Sequence, residues 1–349
     1  MPKLTWPRRA DGRASGATDS VVGRISKPAS AAAILVPVVG FAVANIFYPN
    51  QQELVMMMVY VVMAQGINVM YGFTGYLPFG YFGFFGVGAY GLSLSVIYLH
   101  VPAEVGLLCA IVAAVVVAAI MSPLLRLEGV YFAISSLAAA YAIYVVISNP
   151  ALTPITKGPY GINLIVIYNS TASFIAALAL VGVAMAVVVY LRVSRFGLAL
   201  RAIRSDPVSA EYAGIMVVQE RARAWLVSAA LAGAAGGVFA WYTSTFYPSA
   251  VFDISVSIFA IVFALFGGVG TVWGPALGAV LLFGIYNTVG ISQPQYFQLI
   301  YGILIVLLVL FLPGGLAGLA RALVAGSNRL RSGRGKITNL PVAPGTGDG

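Results

Sequence analysis

The chain has a single cysteine, Cys109, and a single histidine, His100. One cysteine excludes an intrachain disulfide and any metal site built on cysteines. His100 stands at the end of an apolar run beside Pro102, a place that suits a structural interfacial residue better than a general base. Charge is also scarce: 8% of the 349 residues are Asp, Glu, Lys or Arg, against about 25% in a soluble globular domain. No carboxylate pair, metal-ligand cluster or histidine-centred constellation is present, so the sequence offers no catalytic residues and implies no cofactor. The run Gly333-Arg334-Gly335-Lys336-Ile337-Thr338 is not a phosphate loop, because Leu330 stands where the upstream glycine is required and Ile337 follows the lysine.

What the chain has is apolar length. Hydrophobic residues make up 60% of it, more than a soluble fold could hide, and long uncharged runs make the bilayer the natural solvent. The net charge of +9 is concentrated. Seventeen of the 19 basic residues fall in residues 1–29, in 192–223 or in the tail from Arg321, with only Arg126 and Lys157 elsewhere. Basic groups packed between apolar runs are the positive-inside signal. Nucleic-acid binding is disfavoured, since no aromatic residues interleave with these clusters. The apolar run Ala31–Tyr48 exceeds the roughly 7–15 residues of a signal-peptide core, so an uncleaved first span is expected.

Spans are expected near 31–48, 54–71, 79–99, 103–125, 129–148, 172–191, 224–247, 254–267, 275–291 and 296–312. Ten crossings, or eight if two segments are re-entrant, place all three basic clusters on the cytoplasmic side, together with both termini and Arg126. The expected fold is an all-α polytopic bundle, residues 30–320, flanked by disordered basic tails at 1–29 and 321–349. Two segments are too rich in glycine for ordinary connections: Tyr71 to Gly80, continuing to Gly88, and Phe266 to Gly278. The spacing Gly72/Gly75 recurs as Gly267/Gly270. Glycine at such positions serves either close helix packing or a broken helix lining the solute path. Broken backbone is tolerated in a membrane only where it faces protein or water. Gln65, Asn68 and Thr74 nearby are candidates for solute contact, and the alternative for each is an interhelical hydrogen bond.

The loop 192–223 is the longest hydrophilic segment inside the apolar region. Asp206 fits an N-cap, Pro207 the first helical position and Gly214 the residue after the stop, which predicts a short helix over 207–213. The stretch Phe196 to Arg204 is basic and amphipathic, with Leu198/Ala202 and Ala199/Ile203 as apolar pairs. It suits either a helix lying on lipid headgroups or a docking element for a cytoplasmic partner. In the second reading Ala210 and Ala213 permit close contact, Glu211 pairs with a basic groove, and Arg201 and Arg204 anchor the element or pair with carboxylates of the partner.

Four blocks in order resemble a known family: Gly72 to Tyr90; Gly129-Val130-Tyr131-Phe132-Ala133-Ile134 with Leu137; Ser194-Arg195-Phe196-Gly197 through Arg201-Ala202-Ile203-Arg204 to Ala213-Gly214-Ile215; and Gly267-Gly268-Val269-Gly270 through Gly274-Pro275 to Leu312-Pro313-Gly314-Gly315-Leu316. The chain is similar over about residues 34–320 to the inner-membrane permeases of branched-chain amino acid ABC importers, the LivM-like subunit of the LivH/LivM type. Two departures stand out. Pro78 replaces the serine usual in the early glycine-rich segment, and Lys157-Gly158-Pro159-Tyr160-Gly161 replaces a "T-G-G-x-x-G" pattern. The resemblance implies a permease subunit for a branched-chain amino acid or a related small molecule. It also implies a second, LivH-like permease, two cytoplasmic ATP-binding subunits and an extracytoplasmic solute-binding protein. An ion-coupled secondary transporter is the alternative, weakened because Glu53, Glu104, Glu128 and Asp253 all sit near span ends.

Overall fold

A computed structural model describes residues 27–48 and 50–292, together with 302–303, 315–316 and 318. In order come α1 (Lys27–Phe47), α2 (Gln51–Ile67), α3 (Tyr81–Leu99), α4 (Ala103–Met121), α5 (Gly129–Ile147), the single turn α6 (Thr153–Thr156), β1 (Ile162–Asn163) and α7 (Ser170–Val193). Then follow α8 (Arg195–Ser205), α9 (Pro207–Tyr212), α10 (Val217–Thr243), β2 (Thr245–Phe246), α11 (Pro248–Val251), α12 (Ile254–Gly267) and α13 (Gly274–Ser292). Seven described segments are long and apolar enough to cross a bilayer, and Ala31–Phe47 and Gly274–Thr288 are shorter apolar helices. The molecule is an all-α polytopic membrane bundle. Nine of the ten expected spans match described helices, while the tenth, 296–312, lies outside the described residues except at 302–303, the expected tail 321–349 lies outside them, and of the expected tail 1–29 the last three residues open α1.

Two boundaries differ from the sequence reading. α10 begins at Val217, seven residues before the apolar run that marked it. A helix that leaves the bilayer keeps its backbone bonds, so polar residues such as Gln219 and Glu220 extend it. Arg221 and Arg223 therefore belong to α10 and Arg192 to α7, and the true loop is shorter than 192–223. In α8 the buried face is Gly197, Leu200 and Ile203, while Leu198 is exposed. The i, i+3 row wins over the expected Leu198/Ala202 pair because Gly197 lets α8 approach the end of α7: a Cβ there would lie 1.5 Å from the Leu191 carbonyl oxygen.

The bundle has an inside and an outside. About 78% of the most apolar window of α2 and of α10 is buried, and 72% of that of α3, against 28% for α4 and 22% for α5. α10 is the hub, packed on α2, α3, α4 and α7. In lipid, helices gain little from hydrophobicity alone and associate through close packing and hydrogen bonds. The segment Ala232-Gly233-Ala234-Ala235-Gly236-Gly237 supplies the first. A Cβ on Gly88 of α3 would lie 2.0 Å from the Gly233 carbonyl oxygen, and one on Gly233 would lie 2.3 Å from Ala114 Cβ of α4. Tyr81 and Ser228 supply the second. The Tyr81 hydroxyl donates to the Ser228 carbonyl at 2.8 Å, and the Ser228 hydroxyl donates to the Gly66 carbonyl at 2.8 Å, tying α3, α10 and α2 together.

The three-way contact sets a steric test. Gly233→Val is expected to destabilise the bundle by about 1–3 kcal/mol or more through overpacking, seen as a lower melting temperature of the detergent-solubilised chain. Gly40→Ala, with nothing within 4 Å of the added carbon, should melt with the wild type. Equal melting of the Gly233→Val chain and the wild type would refute the hub packing.

Candidate functional site

The two glycine-rich segments meet. α2 does not end cleanly at Ile67: Asn68–Gly72 form a π turn, and the chain then runs irregularly to the start of α3 at Tyr81. Likewise α12 stops at Gly267 and α13 starts at Gly274, leaving 268–273 as a tight turn with Gly268 and Gly270 at φ 103° and 79°. Each break frees backbone groups that the bilayer cannot solvate. Side chains from the last turns of α2 answer for them. Asn68 Nδ2 donates to the Thr271 carbonyl at 2.9 Å, and Asn68 Oδ1 accepts from the Gly270 amide at 2.7 Å. Gln65 Nε2 donates to the Val272 carbonyl at 2.9 Å, and Gln65 Oε1 accepts a second proton of Asn68 at 3.1 Å. Both side chains are fully buried.

Glycine is required on both sides of this junction. A Cβ on Gly72 would strike Asn68 Oδ1 at 2.2 Å and the Gly270 nitrogen at 2.8 Å. Gly267 and Gly274 touch so closely that a Cβ on Gly267 would lie 1.8 Å from the Gly274 carbonyl oxygen. Gly75, at φ 82°, turns the first break, and Thr74 before it donates its hydroxyl to the Met70 carbonyl at 2.6 Å. Gln65, Asn68 and Thr74 are thus all engaged in hydrogen bonds within the chain. A groove of about 620 Å³ between α1, α2 and α13 is lined by other residues, with Glu53 and Asn287 among its polar ones.

Two serines fix the far side of the first break. Ser136 Oγ of α5 accepts from the Gly80 amide at 3.2 Å, and Ser257 Oγ of α12 accepts from the Phe82 amide at 2.6 Å, satisfying the free amides that begin α3. Ser257 carries no sequence signal. A serine inside an apolar span is the only hint that a helix start lies opposite.

The hydrophilic loop reaches this junction. Arg192 Nη1 donates to the Gly270 carbonyl at 2.7 Å, and Arg204 Nη1 donates to the Gly72 carbonyl. Arg201 ties α8 back to α7, with Nε on the Gly197 carbonyl at 3.2 Å and Nη2 on the Arg192 carbonyl at 3.3 Å. Arg201 and Arg204 are therefore occupied by their own chain. Arg221, read from sequence as part of the loop, is buried on α10 with its guanidinium carbon 4.1 Å from the Tyr76 ring centroid, a cation–π contact.

α9 follows from its caps. Asp206 Oδ1 accepts from the Val208 amide at 3.0 Å, and the Ser209 hydroxyl together with the Val208 amide holds the Asp206 carboxyl below the ordinary carboxylate range. Pro207 opens the helix, which ends at Tyr212, one residue short of expectation. Gly214, at φ 84°, completes a Schellman stop: its amide bonds the Glu211 carbonyl at 2.9 Å and the Ile215 amide bonds the Ala210 carbonyl at 3.0 Å. Ala210 is buried against the chain itself, whereas Val208, Glu211, Tyr212, Ala213 and Met216 are exposed. Ala210 therefore supports α9 from beneath, and the outward surface is apolar around one carboxylate.

Asn68→Leu would leave the Gly270 amide and the Thr271 carbonyl without partners, at a cost of about 1–3 kcal/mol for each buried group. The expected result is a lower melting temperature together with reduced transport. A variant that melts and transports like the wild type would show that the breaks are held by other groups.

Comparison with known proteins gives one family match, to the permease component of the branched-chain amino acid transport system, over residues 52–325. The high-affinity branched-chain amino acid transport system permease protein LivM of Salmonella typhimurium is 29% identical over 313 residues, covering 80% of this chain and 72% of the relative. LivM of Escherichia coli is 28% identical over 296 residues, covering 76% and 69%. A probable branched-chain amino acid transport permease protein LivH of Methanocaldococcus jannaschii is 28% identical over 155 residues, covering 42% and 47%. No solved structure matches the chain.

Proposed function

The chain belongs to the branched-chain amino acid transport system permease family, as a multi-pass inner-membrane permease subunit of an ABC importer, and from that premise we propose how its parts divide the work. The solute path runs along the junction of the 72–75 and 267–270 segments, beside Gln65, Asn68 and Thr74. The α8–α9 arm is the docking element for the ATPase. The observation that carries this reading is the exposed surface of α9. Val208, Tyr212 and Met216 are apolar and exposed around Glu211, in a loop too basic to lie within the hydrocarbon. Large exposed apolar residues outside the membrane mark a protein contact.

The orientation follows from charge. The loop and both termini are cytoplasmic, because 17 of the 19 basic residues lie in them or on the helix ends that flank the loop. A second, LivH-like permease completes the path, two separate ATP-binding subunits supply energy, and a solute-binding protein delivers a branched-chain amino acid or a related small molecule at the opposite face. Hydrolysis belongs to the separate subunits, in keeping with a chain that lacks a phosphate loop. Family membership takes the place of the ion-coupled alternative.

Two measurements test the division. In a Cys109→Ala background, cysteines at positions 20, 206 and 335 are expected to resist impermeant thiol reagents in intact cells, and ready labelling at 206 would reverse the orientation. Glu211→Arg combined with Gly214→Val, the second straining a backbone at φ 84°, is expected to leave the protein in the membrane but to lose the ATPase from solubilised complexes. Normal ATPase recovery with full transport would reject α9 as the docking element.

A further inference from the structure

The docking arm and the helix breaks are joined by few contacts, and arginine makes the polar ones. Arg204 lies two residues before the Asp206 cap, so whatever moves α9 moves Arg204. Its guanidinium donates to the carbonyl of Gly72, the last residue of the π turn, which has left the helical ladder. The same Nη1 lies 3.3 Å from the position a Cβ on Gly270 would take, and the side-chain stem passes 3.5 Å from that of Gly75. The head also sits over the Tyr71 ring at 5.8 Å. One cation thus rests in a cradle made by glycines of both broken segments. Arg192, on the end of α7, reaches the same turn from the other side through the Gly270 carbonyl at 2.7 Å. Arg201 holds α8 to the Arg192 carbonyl, so the two arginines keep a fixed spacing.

A guanidinium suits this task. It keeps its charge at any physiological pH, and its planar fork can bond one carbonyl while contacting a second segment. Asn68 joins the two breaks from within the bundle, but it belongs to α2 and cannot sense the arm. Gln65 Nε2 also reaches Met185 Sδ of α7 at 3.1 Å inside the bundle, whereas the arginines connect the junction to α8 and to the end of α7 next to it.

Resting on the reading of α9 as the ATPase contact, we propose that Arg204, braced by Arg192, is the positioning residue that transmits arm movement to the solute gate. In the present conformation the two guanidinium bonds hold the 72–75 and 267–270 segments together. Displacement of α8 withdraws Arg204 from the glycine cradle, and the segments part.

The test reads gate opening directly in the assembled transporter, without reference to the solute. Thr74 is buried beside Gly75 and serves as a near-isosteric reporter, Thr74→Cys in the Cys109→Ala background. Ser93→Cys, buried in α3 with its hydroxyl bonded only within its own helix, reports general loosening. A thiol reagent is applied to inside-out vesicles. Loss of one charge-assisted bond in R204Q or R192Q is expected to speed Thr74→Cys labelling about tenfold and to leave Ser93→Cys protected, with R204K in between. Unchanged labelling at Thr74→Cys in both glutamine variants would overturn the proposal. So would equal acceleration at both reporters, which would mean a loosened fold, or loss of the ATPase from the R204Q complex, which would place Arg204 in the docking surface. ATP should speed Thr74→Cys labelling in the parent and fail to do so in E211R. If R204Q exposes Thr74→Cys while E211R still binds the ATPase and responds to ATP, the reading of α9 fails and the arginine clasp stands.

Discussion

Asn68 is the interaction on which the centre of the molecule depends. Its amide accepts from the Gly270 nitrogen and donates to the Thr271 carbonyl, so one side chain of α2 satisfies both faces of the turn between α12 and α13. In water such a turn would need no partner. In a bilayer an unmatched amide or carbonyl costs several kcal/mol, so a broken helix can exist only where other side chains replace the lost ladder. Gln65 extends the repair to Val272 and also bonds Asn68, which fixes the orientation of the Asn68 amide.

The repair works only because the backbones come close, and that closeness is set elsewhere. α2 and α3 are held on α10 through Ser228, Tyr81 and the Gly88–Gly233 approach. With those three helices fixed, the π turn at 68–72 projects Asn68 toward the turn at 268–273, and Ser136 and Ser257 hold the start of α3 on the far side of the break. The bundle is therefore rigid where small residues interlock and conditional where backbone is repaired by side chains. Packing of the first kind opens only by separating whole helices. Contacts of the second kind can be exchanged one hydrogen bond at a time, the property required of a path that must open and close.

Much of this was legible in the sequence, for identifiable reasons. Spans follow from apolar length, so α1 to α5, α7 and α12 fall close to where the runs put them. α9 follows from local chemistry, since Asp206, Pro207 and Gly214 each have one structural use and all three are used that way. The recurrence of Gly72/Gly75 and Gly267/Gly270 pointed to two related breaks, but spacing along a chain carries no information that they touch. Gln65, Asn68 and Thr74 stood out as polar groups in apolar runs; the partners of Gln65 and Asn68 lie 207 and 203 positions away, whereas Thr74 turns back on Met70 four residues earlier. The reach of Arg192 and Arg204 was hidden for the same reason. In the sequence Arg192 was one of many basic residues whose clustering spoke of membrane orientation, Arg204 was read as an anchor of the docking element or a partner for carboxylates, and the extension of α7 and α10 beyond the apolar runs moved Arg192 and Arg221 out of the loop altogether.

The split between neutral and charged clasps has a physical logic. A neutral amide such as Asn68 can be buried deep in the bundle at modest cost once its bonds are made, and it then holds its place in every state that keeps those bonds. A buried arginine needs a counter-charge, a carbonyl or a ring face, as Arg221 has in Tyr76, but at the end of a span an arginine head can leave a carbonyl and be solvated at once. Removing Asn68 from its partners leaves its own buried amide without a bond, whereas removing Arg204 from Gly72 strands only the carbonyl, because Arg204 is exposed and its guanidinium reaches water. The inner clasp is thus costly to break and the outer one cheap, and the outer one is attached to α8–α9, the segment that joins α7 to α10. A signal entering through that segment meets the weaker bond first.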